Sequence, residues 1–314
     1  MLADSHGIDH KKAANHYDYL VRQNMLPTLK QGGRVVRAQA TTTNHIATTI
    51  ETLLRNHTTW LMAMDQVRHL NAESSDKADF KEVEDYFSLN LDESNFMASD
   101  GTLQVIGSAA KKKQEKNTSD SRLSVTNVRI GSSAGTEGPR IYLAAGKELK
   151  QQCLKDFRKH HPSPPGSHIE MTPTAYMTDD TWKKMVREMC EGIREMPVIK
   201  DHPEWWALLS LDGFGSHLNM KALEVFAEYK ILVVKEEGDS SQVCQAYDQQ
   251  VARQDKRLTR DLLDRFRLGR HGVISQYELI LVINTALNKA DTMLWRKSHI
   301  RVNTCPSQLV PFKQ

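Results

Sequence analysis

The chain is expected to form a mixed α/β fold, a sheet with an antiparallel meander and parallel strands, flanked by helices and preceded by a helical amino-terminal segment. Three observations predict it. Trp205 to Val234 reads as strand, tight turn, helix and strand. Tyr86 to Leu91 alternates Phe87, Leu89 and Leu91 on one face, and further short strand-like runs follow it. Long one-sided apolar patterns on either side of the central unit supply the covering helices.

The central unit is the clearest. Ala207 to Leu211 is an almost wholly apolar run of the kind buried on both faces of a sheet. It stops at Asp212, and Gly213 and Gly215 then permit a sharp turn. Leu218, Ala222, Leu223, Val225 and Phe226 give a helical stripe, and Ile231 to Val234 is a second strand. Asp212 therefore stands at the carboxyl end of a buried strand, where open α/β sheets bind ligands. A dinucleotide fingerprint would need a third glycine at position 218, which is Leu218. The plainer alternative is that Asp212 only caps the following turn or helix.

Length and composition set limits. The 314 residues suffice for one large domain or two small ones, and 39% are hydrophobic. No apolar run approaches the roughly 20 residues that cross a bilayer, and the first residues lack the apolar core of a secretory signal. Cys153, Cys190, Cys244 and Cys305 form no CxxC pair, which predicts neither a zinc site nor a disulfide framework and fits a reducing compartment, cytosol or nucleus. A net charge of +3 permits a nucleic-acid partner without requiring one.

In chain order, a helix is expected over Lys11 to Asn24, and one or two over Thr48 to Leu70 with a break near Asn56 and His57. The first strand, Tyr86 to Leu91, ends at Asp92 and Glu93. Strand character continues at Thr102 to Ile106, Arg122 to Ile130 and Arg140 to Ala144, separated by turn-rich pieces. Lys111, Lys112, Lys113 and Lys116 lie between strands, where they would either touch phosphates or form a solvated hairpin tip. His160 to His168 holds three prolines and reads as an extended loop, a metal cluster only by its histidine count. Thr178 caps a helix running to Met196, with Asp179 and Asp180 at its positive end. A long helix spans about Ser241 to Arg267 with Asp248 in its second turn or so, another spans Ser275 to Trp295, and an irregular tail closes the chain.

Asp92, Asp212 and Asp248 thus stand at element boundaries. If the two Asp-bearing strands are neighbours, three carboxylates share one rim. Oxygen-only ligands of this kind select a hard cation such as magnesium or manganese. Without a cation the like charges would raise one another's pKa. Two metals there would suit an in-line phosphoryl displacement.

The order of elements resembles the ribonuclease-H-like core of DDE transposases and integrases. Asn-Leu-Asp-Glu-Ser-Asn-Phe (Asn90 to Phe96), Leu-Leu-Ser-Leu-Asp-Gly-Phe-Gly-Ser-His-Leu (Leu208 to Leu218) and Gln-Ala-Tyr-Asp-Gln-Gln-Val (Gln245 to Val251) resemble the three motif regions of the pogo and jerky group of DDE superfamily endonucleases. The resemblance spans roughly Tyr86 to Trp295 and implies that Asp92, Asp212 and Asp248 are catalytic metal ligands. It further implies magnesium or manganese as cofactor, DNA as partner, a possible homodimer, no membrane association, and a nuclear location. His217 belongs to the middle motif, either near a phosphate or hydrogen-bonded within its turn. The expected organisation is a segment 1–85 without a complete helix-turn-helix pair, a catalytic core 86–296 and a tail 297–314. Lys235 to Ser241 departs from the group's pattern, and Glu236, Glu237 and Asp239 are expected to put negative charge near the nucleic-acid path. The chain then reads as a catalytic part without its full targeting part. The alternative is a domesticated, catalytically silent nucleic-acid-binding or scaffold protein.

Overall fold

The computed structural model describes residues 43–74, 79–98, 123–211, 220–236, 245–268 and 274–309. The expected helix over Lys11 to Asn24 and strand over Thr102 to Ile106 lie outside them. Six strands form one sheet: β1 (Ser88–Met97), β2 (Ser124–Ser132), β3 (Ile141–Ala145), β4 (His168–Thr172), β5 (Ala207–Leu211) and β6 (Ile231–Lys235), in the order β4-β3-β2-β1-β5-β6. β1, β2 and β3 pair antiparallel, whereas β1 with β5, β5 with β6 and β3 with β4 pair parallel. This is a mixed sheet, an antiparallel meander with parallel strands, flanked by helices, as the sequence predicts.

Helix α1 (Thr43–Ala72) runs unbroken through Asn56 and His57, where a break was expected. The Thr58 and Thr59 hydroxyls donate back to the Leu54 and Arg55 carbonyls, so they satisfy themselves within the helix. Trp60, Met64 and Val67, spaced by four and three, are buried in the core beneath β5 and β6. Asn71 then ties α1 to the start of β5, donating to the Trp206 carbonyl at 3.0 Å and accepting its N–H at 2.6 Å.

Tyr86 and Phe87 are not strand residues. They end helix α2 (Phe80–Phe87), which Asp79 caps by accepting the Lys81 N–H at 2.9 Å. Phe80 and Phe87, two turns apart, both meet the Trp205 ring edge-on, and that shared contact favours the helix over an alternating strand. β1 also continues beyond Asp92 to Met97, because β2 pairs with it from Leu89 through Met97 while β5 pairs only with Ser88 to Leu91.

Helix α3 (Gln151–His160) and β4 enclose the proline-rich loop, and the sequence reading missed both. Its histidines are separately partnered, His161 with Asp156 at 3.4 Å and His168 with Glu188 at 3.2 Å. Helix α4 (Asp179–Arg194) is as expected, capped by Thr178 and burying Trp182, Met185, Val186, Met189 and Cys190. Helix α5 (Met220–Glu228) joins β5 to β6. After the π-helical turn Tyr247–Val251 come α6 (Ala252–Leu268), α7 (Gln276–Leu287) and α8 (Met293–Arg301). The single helix expected over Ser275 to Trp295 is therefore two. Helix α8 runs into the expected irregular tail as far as Arg301, and beyond it the Ser307 N–H donates to Asp85 at 2.9 Å, a carboxylate that Arg296 also reaches at 2.8 Å.

Candidate carboxylate site

The alternation of β1 puts Asn90, Asp92 and Ser94 on one side of the sheet, and Leu89 and Leu91 on the other. Asp92 is half-buried, and its Oδ1 accepts the N–H of Glu93 at 2.7 Å. In the parallel pair, Leu91 sits beside Leu211, the last residue of β5. Asp92 and Asp212 are each the next residue in the chain. Asp212 lies outside the described residues, as do Lys111, Lys112, Lys113, Lys116 and His217.

The turn that carries Asp248 packs against β1 from a third element. Asp248 is exposed and lies in the π-helical turn Tyr247–Val251, close to where the described helix begins rather than a turn further in. Such turns widen the helix locally and recur at functional sites. The Trp295 indole fixes this turn from behind, with its ring 5.6 Å from that of Tyr247. Gly131 of β2 makes room for it, since a Cβ there would come within 2.1 Å of the indole.

Asn90 joins the three segments. Its side-chain amide is buried, donates Nδ2–H to the Ser210 carbonyl at 3.3 Å, and accepts the Tyr247 N–H on Oδ1 at 3.0 Å. Ser210 stands two residues before Asp212, Asn90 two before Asp92, and Tyr247 one before Asp248. Sequence reasoning missed Asn90 and Tyr247, although both lie inside the quoted motif segments. Their position one or two residues before an acidic residue was the available signal.

A charged layer lies alongside. Arg129 is the cross-strand partner of Asp92 and is fully buried, with Glu137 at 3.0 Å and Asp255 at 3.2 Å. Burial opposes its charge, but Asp255 and Glu137 outweigh that and raise the Arg129 pKa. Burial likewise pushes Glu137 up, and Arg129 and Arg140 reverse it, so the carboxyl is held below the ordinary range. Tyr247 is raised well above its usual value by burial and by Asp255, and its hydroxyl stays protonated as a donor to Asp255 at 3.3 Å. Arg140 continues the layer, bonding Glu137 at 2.6 and 2.8 Å and the Asn284 side chain at 2.9 Å.

One expectation changes here. Glu236 does not project toward a nucleic-acid path: it is buried, and its N–H donates to the Leu211 carbonyl at 2.9 Å. β6 stops at Lys235, so the next residue is still held against the end of β5. Glu237 and Asp239 lie outside the described residues. Among the described residues no three His, Cys, Asp or Glu side chains gather to hold a metal ion. A set made only of carboxylate oxygens still fits magnesium or manganese in kind. No helix among the described residues is long and apolar enough to cross a membrane.

No protein-family model matches the chain, and no curated protein matches it. Solved structures similar to it include a pre-cleavage Mos1 transpososome, at 8% identity and a TM-score of 0.47 over 98% of this chain and 70% of that one. A Mos1 transposase paired-end complex with the left transposon end gives 10% and 0.46, over 99% and 74%. A Mos1 mariner paired-end complex with Mn gives 9% and 0.45, over 98% and 70%. Likeness at this level transfers no residue roles.

Proposed function

We propose that the chain is a transposase-like DNA endonuclease or strand transferase in which Asp92, Asp212 and Asp248 hold magnesium or manganese. The observation that supports it best is the Asn90 amide, bonded at once to the strand leading to Asp212 and to the turn carrying Asp248. A buried amide with both ends used fixes relative position, which a shared ion site demands within fractions of an ångström. Bound ions would stabilise the charge that develops on phosphoryl oxygens during in-line displacement. The chain's own residues do the rest. Asn90 sets the spacing of the three segments. Arg129, held charged beneath β1 by Glu137 and Asp255, keeps the layer under this edge in place. Tyr247 keeps its proton and holds Asp255 against Arg129. DNA as substrate, two copies joining two ends, and a nuclear location belong to the same reading.

The test is manganese titration by calorimetry of the parent and of Asp92→Asn, Asp212→Asn and Asp248→Asn. Each near-isosteric variant should keep the parent melting temperature within a few degrees and lose metal uptake. A parent that takes up no ion at millimolar manganese, with DNA present, overturns the nuclease reading and leaves the silent nucleic-acid-binding or scaffold protein.

A further inference from the structure

Helix α6 carries its charges on opposite sides. Asp255, Thr259 and Leu263 face inward and are buried, Asp255 against Arg129. Arg253, Lys256, Arg257 and Arg260 are exposed and line, with Asp248 and Ala252, a groove of about 530 Å³. At 3.6 residues per turn these four cations fall within an arc of about 100° and extend about 10 Å along the axis. None of the four has an ion-pair or hydrogen-bond partner among the described residues. Some cations elsewhere do: Arg187 pairs with Glu228 at 2.8 Å, Lys230 with Glu204, and Lys297 with Asp291 at 3.8 Å. Asp261 and Asp264 bound the patch only toward its carboxyl end.

Four like charges on one helical face repel one another, and the acids beside them, Asp248 at one end and Asp261 and Asp264 at the other, are fewer than the cations. The arrangement suits a ligand that brings its own regularly spaced negative charge. Phosphates of duplex DNA advance 3.4 Å per strand step, so about 10 Å of helix spans roughly three of them. We infer that the outer face of α6, from Arg253 to Arg260, is a DNA-backbone track that ends at Asp248. This rests on the DNA reading above and assigns the surface that carries the duplex to the acidic edge. Contacts of this kind position the duplex and read no sequence.

The experiment is fluorescence anisotropy of a labelled DNA duplex with the full chain, without divalent ion, across 50 to 200 mM salt. The variant is Arg253→Gln, Lys256→Gln, Arg257→Gln and Arg260→Gln combined. With roughly three phosphates in reach, the slope of log affinity against log salt becomes shallower by about 2.7. The control variant Arg187→Gln with Lys230→Gln, whose cations are already paired, should leave the slope within about one unit of the parent. All four substituted residues are exposed, so the variant should melt with the parent and should bind manganese as the parent does. An unchanged slope in the melted-as-parent variant overturns the inference while the metal site stands. So does an unchanged slope accompanied by a shift in oligomeric state, which would assign the face to protein contact. A parent that binds manganese but no DNA overturns both the track and the DNA reading.

Discussion

On one side of the sheet Leu89, Leu91, Val128, Ile130, Ile141 and Leu143 meet the apolar faces of α1, α4 and α5. On the other, Asn90, Asp92, Arg129 and Tyr142 face the π-helical turn and the carboxyl-terminal helices, with Asp255, Glu137, Arg140 and Asn284 among them. The same strands supply both sides, one residue out of step. Apolar packing tolerates exchange among residues of similar volume. Buried charge does not, because every member needs its partner. The apolar side is therefore the more replaceable one, and the charged side, which also holds an apolar cluster around Val125, Tyr142 and Ala144, fixes relative position.

The strongest way to break this contrast is Arg129→Met. It leaves Asp255 buried without its cation, while Glu137 keeps Arg140, and should cost about 3–5 kcal/mol, read by chemical denaturation. A loss under about 1 kcal/mol would mean that the layer is as replaceable as the apolar side. Leu209→Ala, fully buried on the apolar side, should cost about 3 kcal/mol. Manganese affinity of the folded fraction should be unchanged, and a drop would show that the two sides are coupled.

Asn90→Ala sharpens the contrast from the other side. It orphans the Tyr247 N–H and the Ser210 carbonyl and should cost about 1–3 kcal/mol. Unlike Leu209→Ala it should also weaken manganese binding at temperatures where the variant is fully folded. Calorimetry that finds equal affinity would remove Asn90 as a positioning residue.

The smallest effect concerns pH. His299, buried beside Trp295 and bonded through Nδ1 to Thr304 at 2.9 Å, has its pKa pushed down to about 4, chiefly by burial. The unfolded chain takes up this proton near pH 6.5, before the folded one does. Its contribution is therefore complete above that pH and is lost as pH falls from about 6.5 toward 4. Stability should fall there, and His299→Gln should flatten the fall in pH-dependent melting curves.

Where a local pattern had one solution, the sequence was legible. The apolar run Ala207 to Leu211, the cap-and-stripe pattern after Thr178 and the runs that became β2 and β3 all formed as read. Where two solutions competed, partners decided. Tyr86 and Phe87 fit an alternating strand, but the Trp205 ring selects the helix. β1 runs past Asp92 because β2 lies along its whole length. β4 was hidden behind three prolines, and only its parallel pairing with β3 makes it a strand.

The site divides in the same way. That Asp92 follows an apolar strand residue, that Asp212 follows Leu211, and that Asp248 stands in a helical stretch are properties of the chain itself, set by hydrophobic period and turn chemistry. That Asn90 holds Ser210 and Tyr247 together, and that Arg129 is buried opposite Asp92 between Glu137 and Asp255, depends on contacts between residues as much as 157 positions apart. Hydrogen bonds and ion pairs of that range have no period in sequence. They arise only when the sheet brings their donors and acceptors within about 3 Å, so the tertiary structure alone decided them.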